Sequence, residues 1–315
     1  MFDNNPVHIT ANHSDPRINI ISNPDPYAIF HEGMYYIYST GHYGVNVLRS
    51  KDMENFEHMG LALEDNEWES YWAPAVIFYE GKFYMYYASK RVTETGGHHM
   101  QIAVANHPLG PFTYTGKRFD DFSIDAHVIE KNGDLYLFYT PTVEHDGKKG
   151  SMIVVDKMID PLTPCGNPRL LLYPTFPQEM FVKDQFGEGI DGYTVEGAFY
   201  FEHEGTGFLM YSGGNFTGGD YFVNYAVCDA SLPLDEAVFT KYPNNHTFHA
   251  LMGKDDHCTG CGHNSLITGP KGELLVVYHG RSRIPATNPM PGDDRQLCVS
   301  EIKIEGNKLI LNRRK

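Results

Sequence analysis

The chain has 315 residues, 41% of them hydrophobic and 13% aromatic, with a formal net charge of −15. That length and apolar content can build one large core, and the aromatic surplus favours strands, where flat rings pack on a pleated surface. The acid excess excludes a nucleic-acid partner or an anionic membrane surface, both of which need a basic footprint, and leaves a neutral small molecule or polymer as the fitting ligand.

In chain order, Met1 to Ile20 carries neither a basic start nor an apolar core, so it does not read as a secretory signal. No later stretch reaches the length of a membrane span. Five cysteines make an odd count without a disulfide framework, which suits a reducing compartment, and a cytoplasmic location is expected.

From residue 23 onward the chain repeats one unit five times. The first runs Asn23-Pro-Asp-Pro-Tyr-Ala-Ile-Phe, turns at His31-Glu-Gly and continues Met34-Tyr-Tyr-Ile-Tyr-Ser. The second runs from Tyr71-Trp-Ala-Pro through Tyr79-Glu-Gly, and the third from Ser123-Ile-Asp-Ala-His through Lys131-Asn-Gly. The fourth runs from Thr194-Val-Glu-Gly through Glu204-Gly-Thr-Gly, and the fifth from Gly262-His-Asn-Ser through Pro270-Lys-Gly. Each unit is a strand, a Gly-containing turn and an aromatic or β-branched strand, which is the sequence form of a β-hairpin. Further strand-like pieces follow at Gly44–Leu48, Gln101–Ala105, Ser151–Val155, Tyr221–Val227 and Gln296–Ile302. The closing tyrosines Tyr38, Tyr87, Tyr139, Tyr211 and Tyr278 stand 49, 52, 72 and 67 residues apart, room for four strands per unit. The expected fold is all-β: a five-bladed β-propeller in a single domain over residues 1–315, with a site in its central channel. A sandwich of many hairpins is the alternative, but a sandwich needs no repeat.

In a propeller the first strand of each blade lines the channel, so equivalent repeat positions converge on the axis. At those positions stand Asp25, Trp72 to Pro74, Asp125, Glu196 and His263. Ionised carboxylates are costly to bury, so three of them at one recurring position mark a site rather than a fold requirement. Singly, each has an ordinary reading; Asp25 in Asn-Pro-Asp-Pro suits a plain turn.

With these residues in order, the chain resembles glycoside hydrolase family 43, five-bladed propellers acting on arabinose- and xylose-containing glycans. The resemblance rests on Asn23-Pro-Asp-Pro, Tyr71-Trp-Ala-Pro, Ile124-Asp-Ala-His, Val195-Glu-Gly-Ala and Gly262-His-Asn-Ser. Ala198 stands where the family commonly has proline. The resemblance implies an inverting glycosidase with Asp25 as general base, Glu196 as general acid and Asp125 as the carboxylate that orients the acid and raises its pKa. It implies an exo-acting β-xylosidase, with α-L-arabinofuranosidase or endo-arabinanase as the alternative, and a neutral pentose oligosaccharide as substrate. A non-catalytic sugar-binding propeller has no need of three axial carboxylates.

The resemblance also marks His263 as the axial histidine that holds Ca²⁺ in several members, although Ca²⁺ prefers oxygen ligands; a histidine merely hydrogen-bonded in the channel is the other reading. Trp72 is a subsite wall, on which a sugar stacks its C–H face, or a core residue. Arg295 and Arg281 hold substrate hydroxyls, or pair with Asp293 and Asp294. Cys258-Thr-Gly-Cys261 reads as accidental spacing, without a second ligand pair for zinc, and His98-His99 as a loop tip near the groove. A homo-oligomer in which a second subunit closes one end of the groove is allowed.

Overall fold

Four of the five hairpins turn on two residues, Glu32-Gly33, Glu80-Gly81, Asn132-Gly133 and Glu204-Gly205, all with positive φ. This is the turn whose twist matches that of the paired strands. In the computed structural model, which describes residues 7–256, 258–282 and 294–313, each hairpin forms the inner half of a sheet. The first blade comprises Tyr27–His31, Met34–Ser39, Val45–Ser50 and Asn55–Leu63, with His8–Ala11 added in parallel at the rim. The second is Trp68–Tyr79, Lys82–Arg91, His99–Ala105 and Thr113–Arg118. Ser123–Lys131, Asp134–His145 and Ile153–Asp160 make the third, edged by the short pieces Thr163–Pro164 and Arg169–Leu172. The fourth is Gly192–His203, Thr206–Gly213, Phe222–Asp229 and Thr240–Lys241, and the fifth Cys258–Thr268, Leu274–Ser282, Gln296–Glu305 and Lys308–Asn312.

The innermost strands pack side by side in chain order, and Cys258–Thr268 returns to Tyr27–His31. The fold is therefore a five-bladed β-propeller. Among the described residues the first and fifth blades share no strand. The Asn23 N–H donates to the Arg295 carbonyl at 3.0 Å, and Ser265 Oγ donates to the Pro26 carbonyl and accepts from the Ala28 N–H, both at 3.0 Å.

Period-two alternation builds the core. Along Met34–Ser39, Tyr36 and Tyr38 face the second blade with Phe83, Met85 and Tyr87, while Tyr35 and Ile37 face the fifth with Leu275 and Val277. Leu135 and Leu137 likewise join the second blade, and Tyr136 and Phe138 the fourth. Middle strands buried on both faces are why these segments read as unbroken aromatic runs. Among the described residues five apolar clusters result, one in each gap between neighbouring blades.

The expected strand Ser151–Val155 is in fact two, Lys148–Ser151 and Ile153–Asp160. The first pairs in parallel with Gly192–His203 and ties the third blade to the fourth. The long spacings at these blades are filled by this excursion and by the segment carrying the 3-10 turn Pro177–Glu179. There Glu179 and Lys241, both buried, form an ion pair at 2.5 Å that pins the segment to the fourth blade.

Candidate active site

Within or just before each innermost strand, where it reaches the axis, stands a left-handed residue: Asp25 (φ 53°), Ala73 (43°), Asp125 (59°), Gly197 (64°) and His263 (47°). In four of them the pairing register slips across that point. Left-handed backbone is strained for Asp, Ala and His, and five such bends around one axis mark a place where the fold aims side chains rather than packing them. They correct the expected equivalence. Asp25, Asp125 and His263 occupy the bend itself, whereas Glu196 precedes it by one residue, as Trp72 does, and Gly197 takes the left-handed position. A Cβ on Gly197 would lie 3.3 Å from His263 Nδ1, so the acid's strand approaches the axis closely only with glycine after it.

These side chains line one pocket: Asp25, Trp72, Asp125, Glu196, His263 and Arg295, with Ala73, Ile124, Phe216 and Tyr221. Both Asp25 oxygens are engaged. Arg295 Nη1 donates to Oδ1 at 2.8 Å and Thr40 Oγ1 to Oδ2 at 2.7 Å. The Asp25 N–H donates to His279 Nδ1 at 3.1 Å, and His263 Nδ1 stands 3.6 Å from Oδ1. Burial pushes the Asp25 carboxyl up, but Arg295, with His263 and His279, outweighs burial and holds it well below the usual carboxylate range. Burial lowers His263 and takes His279 down to about 4. Both imidazoles are therefore neutral near pH 7, and the guanidinium is the standing charge that keeps Asp25 ionised.

Glu196 has the opposite environment. Burial first, and then the Asp25 charge, push its carboxyl up to about 7, against the Tyr221 hydroxyl, which donates to Oε1 at 2.7 Å, and Arg295. Asp125 is raised by burial and by the charges of Glu196 and Asp25, although the Gly197 N–H donates to its Oδ2 at 3.0 Å. One buried guanidinium cannot balance three carboxylates, so the protons stay on the Asp125–Glu196 side and the charge on Asp25.

The Tyr221 bond gives a directional test. It favours the ionised carboxylate, so Tyr221→Phe raises the Glu196 pKa and moves the alkaline limb of the kcat/KM profile to higher pH, while the limb set by Asp25 stays in place. An unmoved alkaline limb would separate Tyr221 from the titration of Glu196. Tyr221 is needed where it is: its ring stacks on His279 at 5.8 Å between centroids, and it fills the place a Cβ on Gly262 would take.

Other expected residues lie as follows. Trp72 borders the pocket with its back stacked on His98 at 3.3 Å between centroids. His98 is thus a buried support held by the Ser70 carbonyl at 3.1 Å, not a loop tip. Arg281 is not among the pocket residues. Its Nε pairs with Asp294 at 2.6 Å and its Nη1 donates to the Phe216 carbonyl at 2.8 Å, so it braces the loop that carries Phe216. Asp293 lies outside the described residues. The sulfurs of Cys258, Cys261 and Cys298 all lie on the side of Gly280 where a Cβ would stand. Sequence reading missed Tyr221, Thr40, His279 and Phe216, which sit on second and third strands or on loops and carry no shared motif.

For a cation on the axis, His263 is the donor the site offers. Among the described residues no three His, Cys, Asp or Glu side chains gather as direct ligands. A neutral imidazole, its backbone N–H fixed by Ser212 Oγ at 2.8 Å, suits a single bond to a largely hydrated ion.

A profile described as glycosyl hydrolases family 43 matches residues 17–309. A protein of Streptomyces avermitilis named extracellular exo-alpha-(1->5)-L-arabinofuranosidase is 27% identical across 88% of this chain, which spans 59% of that relative's length. One of the same name from Streptomyces chartreusis is 26% identical over 85% of both chains. Among solved structures, a thermostable family-43 glycoside hydrolase superposes with a TM-score of 0.78 at 31% identity, covering 96% of this chain and 97% of its own. An α-L-arabinofuranosidase of Lactobacillus brevis shares the fold at a TM-score of 0.73 and 21% identity, covering 95% of each chain.

Proposed function

Because the chain belongs to glycosyl hydrolases family 43, we propose that this glycoside hydrolase releases a terminal pentose from a neutral oligosaccharide with inversion at the anomeric carbon. The observation that carries the reading is the split within one pocket: Asp25 ionised beside Arg295, and Glu196 protonated up to about pH 7. Asp25 takes a proton from water as the water attacks, Glu196 gives its proton to the leaving oxygen, and Asp125, which accepts from the Gly197 N–H, holds the acid's strand in position. Trp72 offers the C–H face of the sugar a flat wall. His263 is the residue that would hold Ca²⁺, whose charge would help hold the carboxylate pKa values in place.

For the sugar, α-L-arabinofuranose takes precedence over the β-D-xylose expected first, because two relatives matched over most of this chain carry arabinofuranosidase names. The experiment is hydrolysis of aryl α-L-arabinofuranoside and aryl β-D-xylopyranoside, each with and without chelator. Faster release of arabinose supports the reading, faster release of xylose restores the first expectation, and cleavage of neither overturns the exo-pentosidase. Loss of activity on chelation that Ca²⁺ restores supports the metal at His263; full activity in chelator means that catalysis needs no metal there.

A further inference from the structure

Three of the cysteines meet in the fifth blade, on strands that also carry residues around the axial site. Cys258 and Cys261 lie on Cys258–Thr268 with His263, and Cys298 lies on Gln296–Glu305, which follows Arg295. Gly280 follows His279 on the strand between them. A Cβ on Gly280 would stand 2.3 Å from the sulfur of Cys258, 3.5 Å from that of Cys298 and 3.6 Å from that of Cys261. The three sulfurs therefore crowd the space a side chain would fill. Cys258 makes a hydrogen-bonding contact with each of the other two thiols. All three are buried and free. Among the described residues no three such groups are placed as metal ligands, so the chemistry that thiols in contact share is a disulfide.

The backbone selects the pair. A whole strand separates Cys258 from Cys298, about 10 Å at ordinary strand spacing, whereas a disulfide joins Cα atoms no more than roughly 7 Å apart. Cys258 and Cys261 share one strand that bulges between them. Thr259 pairs with Arg281 and Gly262 with His279, so Gly260 and Cys261 together face Gly280. Gly260 is left-handed there, with φ 57°. The bulge shortens the strand and brings both sulfurs to one side of it.

The residues just beyond the pair have no slack. A Cβ on Gly262 would lie 1.9 Å from the Tyr221 ring, and Tyr221 donates to Glu196. The His263 N–H is held by Ser212 Oγ at 2.8 Å. Drawing Cys261 toward Cys258 thus moves backbone on which both the acid's partner and the axial histidine rest, in an interior too dense to absorb the shift.

We infer that Cys258 and Cys261 form a reversible disulfide that lowers the activity of the axial site, the reduced enzyme being the active form. The oxidant is a hydroperoxide such as hydrogen peroxide. One sulfur attacks a peroxide oxygen, the O–O bond breaks and water leaves. The second sulfur then attacks the sulfenic acid so formed, and the oxygen departs with the second thiol's proton as another water. Two thiols are oxidised and one peroxide is reduced. Arg313 stands beside the cluster, its Nη1 donating to the Tyr278 hydroxyl at 2.7 Å and its Nη2 pairing with Asp255 at 2.6 Å. It also bonds Cys261, and it follows the outermost strand of the blade, Lys308–Asn312. Local opening of that edge admits the oxidant, so the reaction takes minutes to hours. The effect on activity rests on the proposed pentosidase reading; the bond itself does not.

The test treats the reduced protein with hydrogen peroxide and follows two readouts, peptide mass after alkylation without reduction, and kcat/KM on the better aryl pentoside. The expected result is a peptide carrying Cys258 and Cys261 that is two hydrogens lighter and closed to alkylation. Activity falls by roughly tenfold to a hundredfold, the cost of a misplaced site. Dithiothreitol restores both, which separates the bond from methionine oxidation. Cys258→Ser keeps its activity through the treatment, and Cys298→Ser loses it as wild type does. Absence of the 258–261 link, or a link through Cys298, overturns the assigned pair. A link that leaves activity unchanged, or an equal reversible loss in Cys258→Ser, overturns the control of the site. Cleavage of neither pentoside by the reduced enzyme instead overturns the pentosidase reading, and the mass still decides the bond.

Discussion

Glu196→Gln leaves the propeller folded and lowers kcat/KM on unactivated pentosides by roughly 10²–10⁴-fold, the usual contribution of a general acid. Two accompanying results identify the role. Dinitrophenyl pentosides, whose leaving group departs without a proton, lose far less, because only the protonation step has been removed. The alkaline limb also disappears. In wild type Glu196 must be protonated, so activity falls as pH rises through about 7; glutamine has no proton to lose, and the residual rate is flat through that range. A Glu196→Gln enzyme that keeps the alkaline limb would place the titrating group elsewhere, with Asp125, raised by the same crowding, the first candidate.

Arg295→Met is the second large effect, and it acts on stability and activity together. The guanidinium lies 2.8 Å from a carboxylate buried on the axis, and removing one partner of such a pair costs about 3–5 kcal/mol. The sign with pH is defined. In wild type the folded pKa of Asp25 lies below its unfolded value, so the pair adds stability above the unfolded pKa, which is lost as pH falls through the folded one. Without Arg295, burial governs and the folded pKa rises above the unfolded value. The variant therefore loses stability as pH rises past about 4, and its deficit against wild type is larger at pH 7 than at pH 4. Urea unfolding at the two pH values measures this. The acid limb of kcat/KM moves toward neutrality at the same time, because the base now ionises later. A deficit independent of pH would mean that Arg295 contributes packing over Phe216, whose ring centroid is 5.3 Å from the guanidinium carbon, and not charge compensation.

The hairpins were legible because their turns and strands obey local rules. Glu-Gly and Asn-Gly pairs call for positive φ at both positions, and middle strands such as Leu135–Tyr139 are apolar on both faces because both are covered. The axial carboxylates were legible for the opposite reason: they break the pattern where a strand enters the fold. Their one-residue offset was not, since nothing local distinguishes Asp125 at a bend from Glu196 before one until Gly197 is seen to take the left-handed conformation. Arg295 could be nominated, but its partner is 270 residues away in sequence, and the competing Asp294 pairs with Arg281 instead. Tyr221 and His279 tune the acid and fix the base from positions whose neighbours in sequence are ordinary strand residues. Contacts made across the ring leave no local trace.

The division of labour between Asp25 and Glu196 is tested most directly by the configuration of the sugar first released. Proton NMR during rapid hydrolysis of the better aryl pentoside follows the anomeric signals before the product equilibrates. With Asp25 activating water, the first product has the anomeric configuration opposite to the substrate, and the retained anomer appears only by later mutarotation. If the retained anomer appears first, a covalent intermediate has formed, and Asp25 is a nucleophile or a bystander rather than the base that activates water.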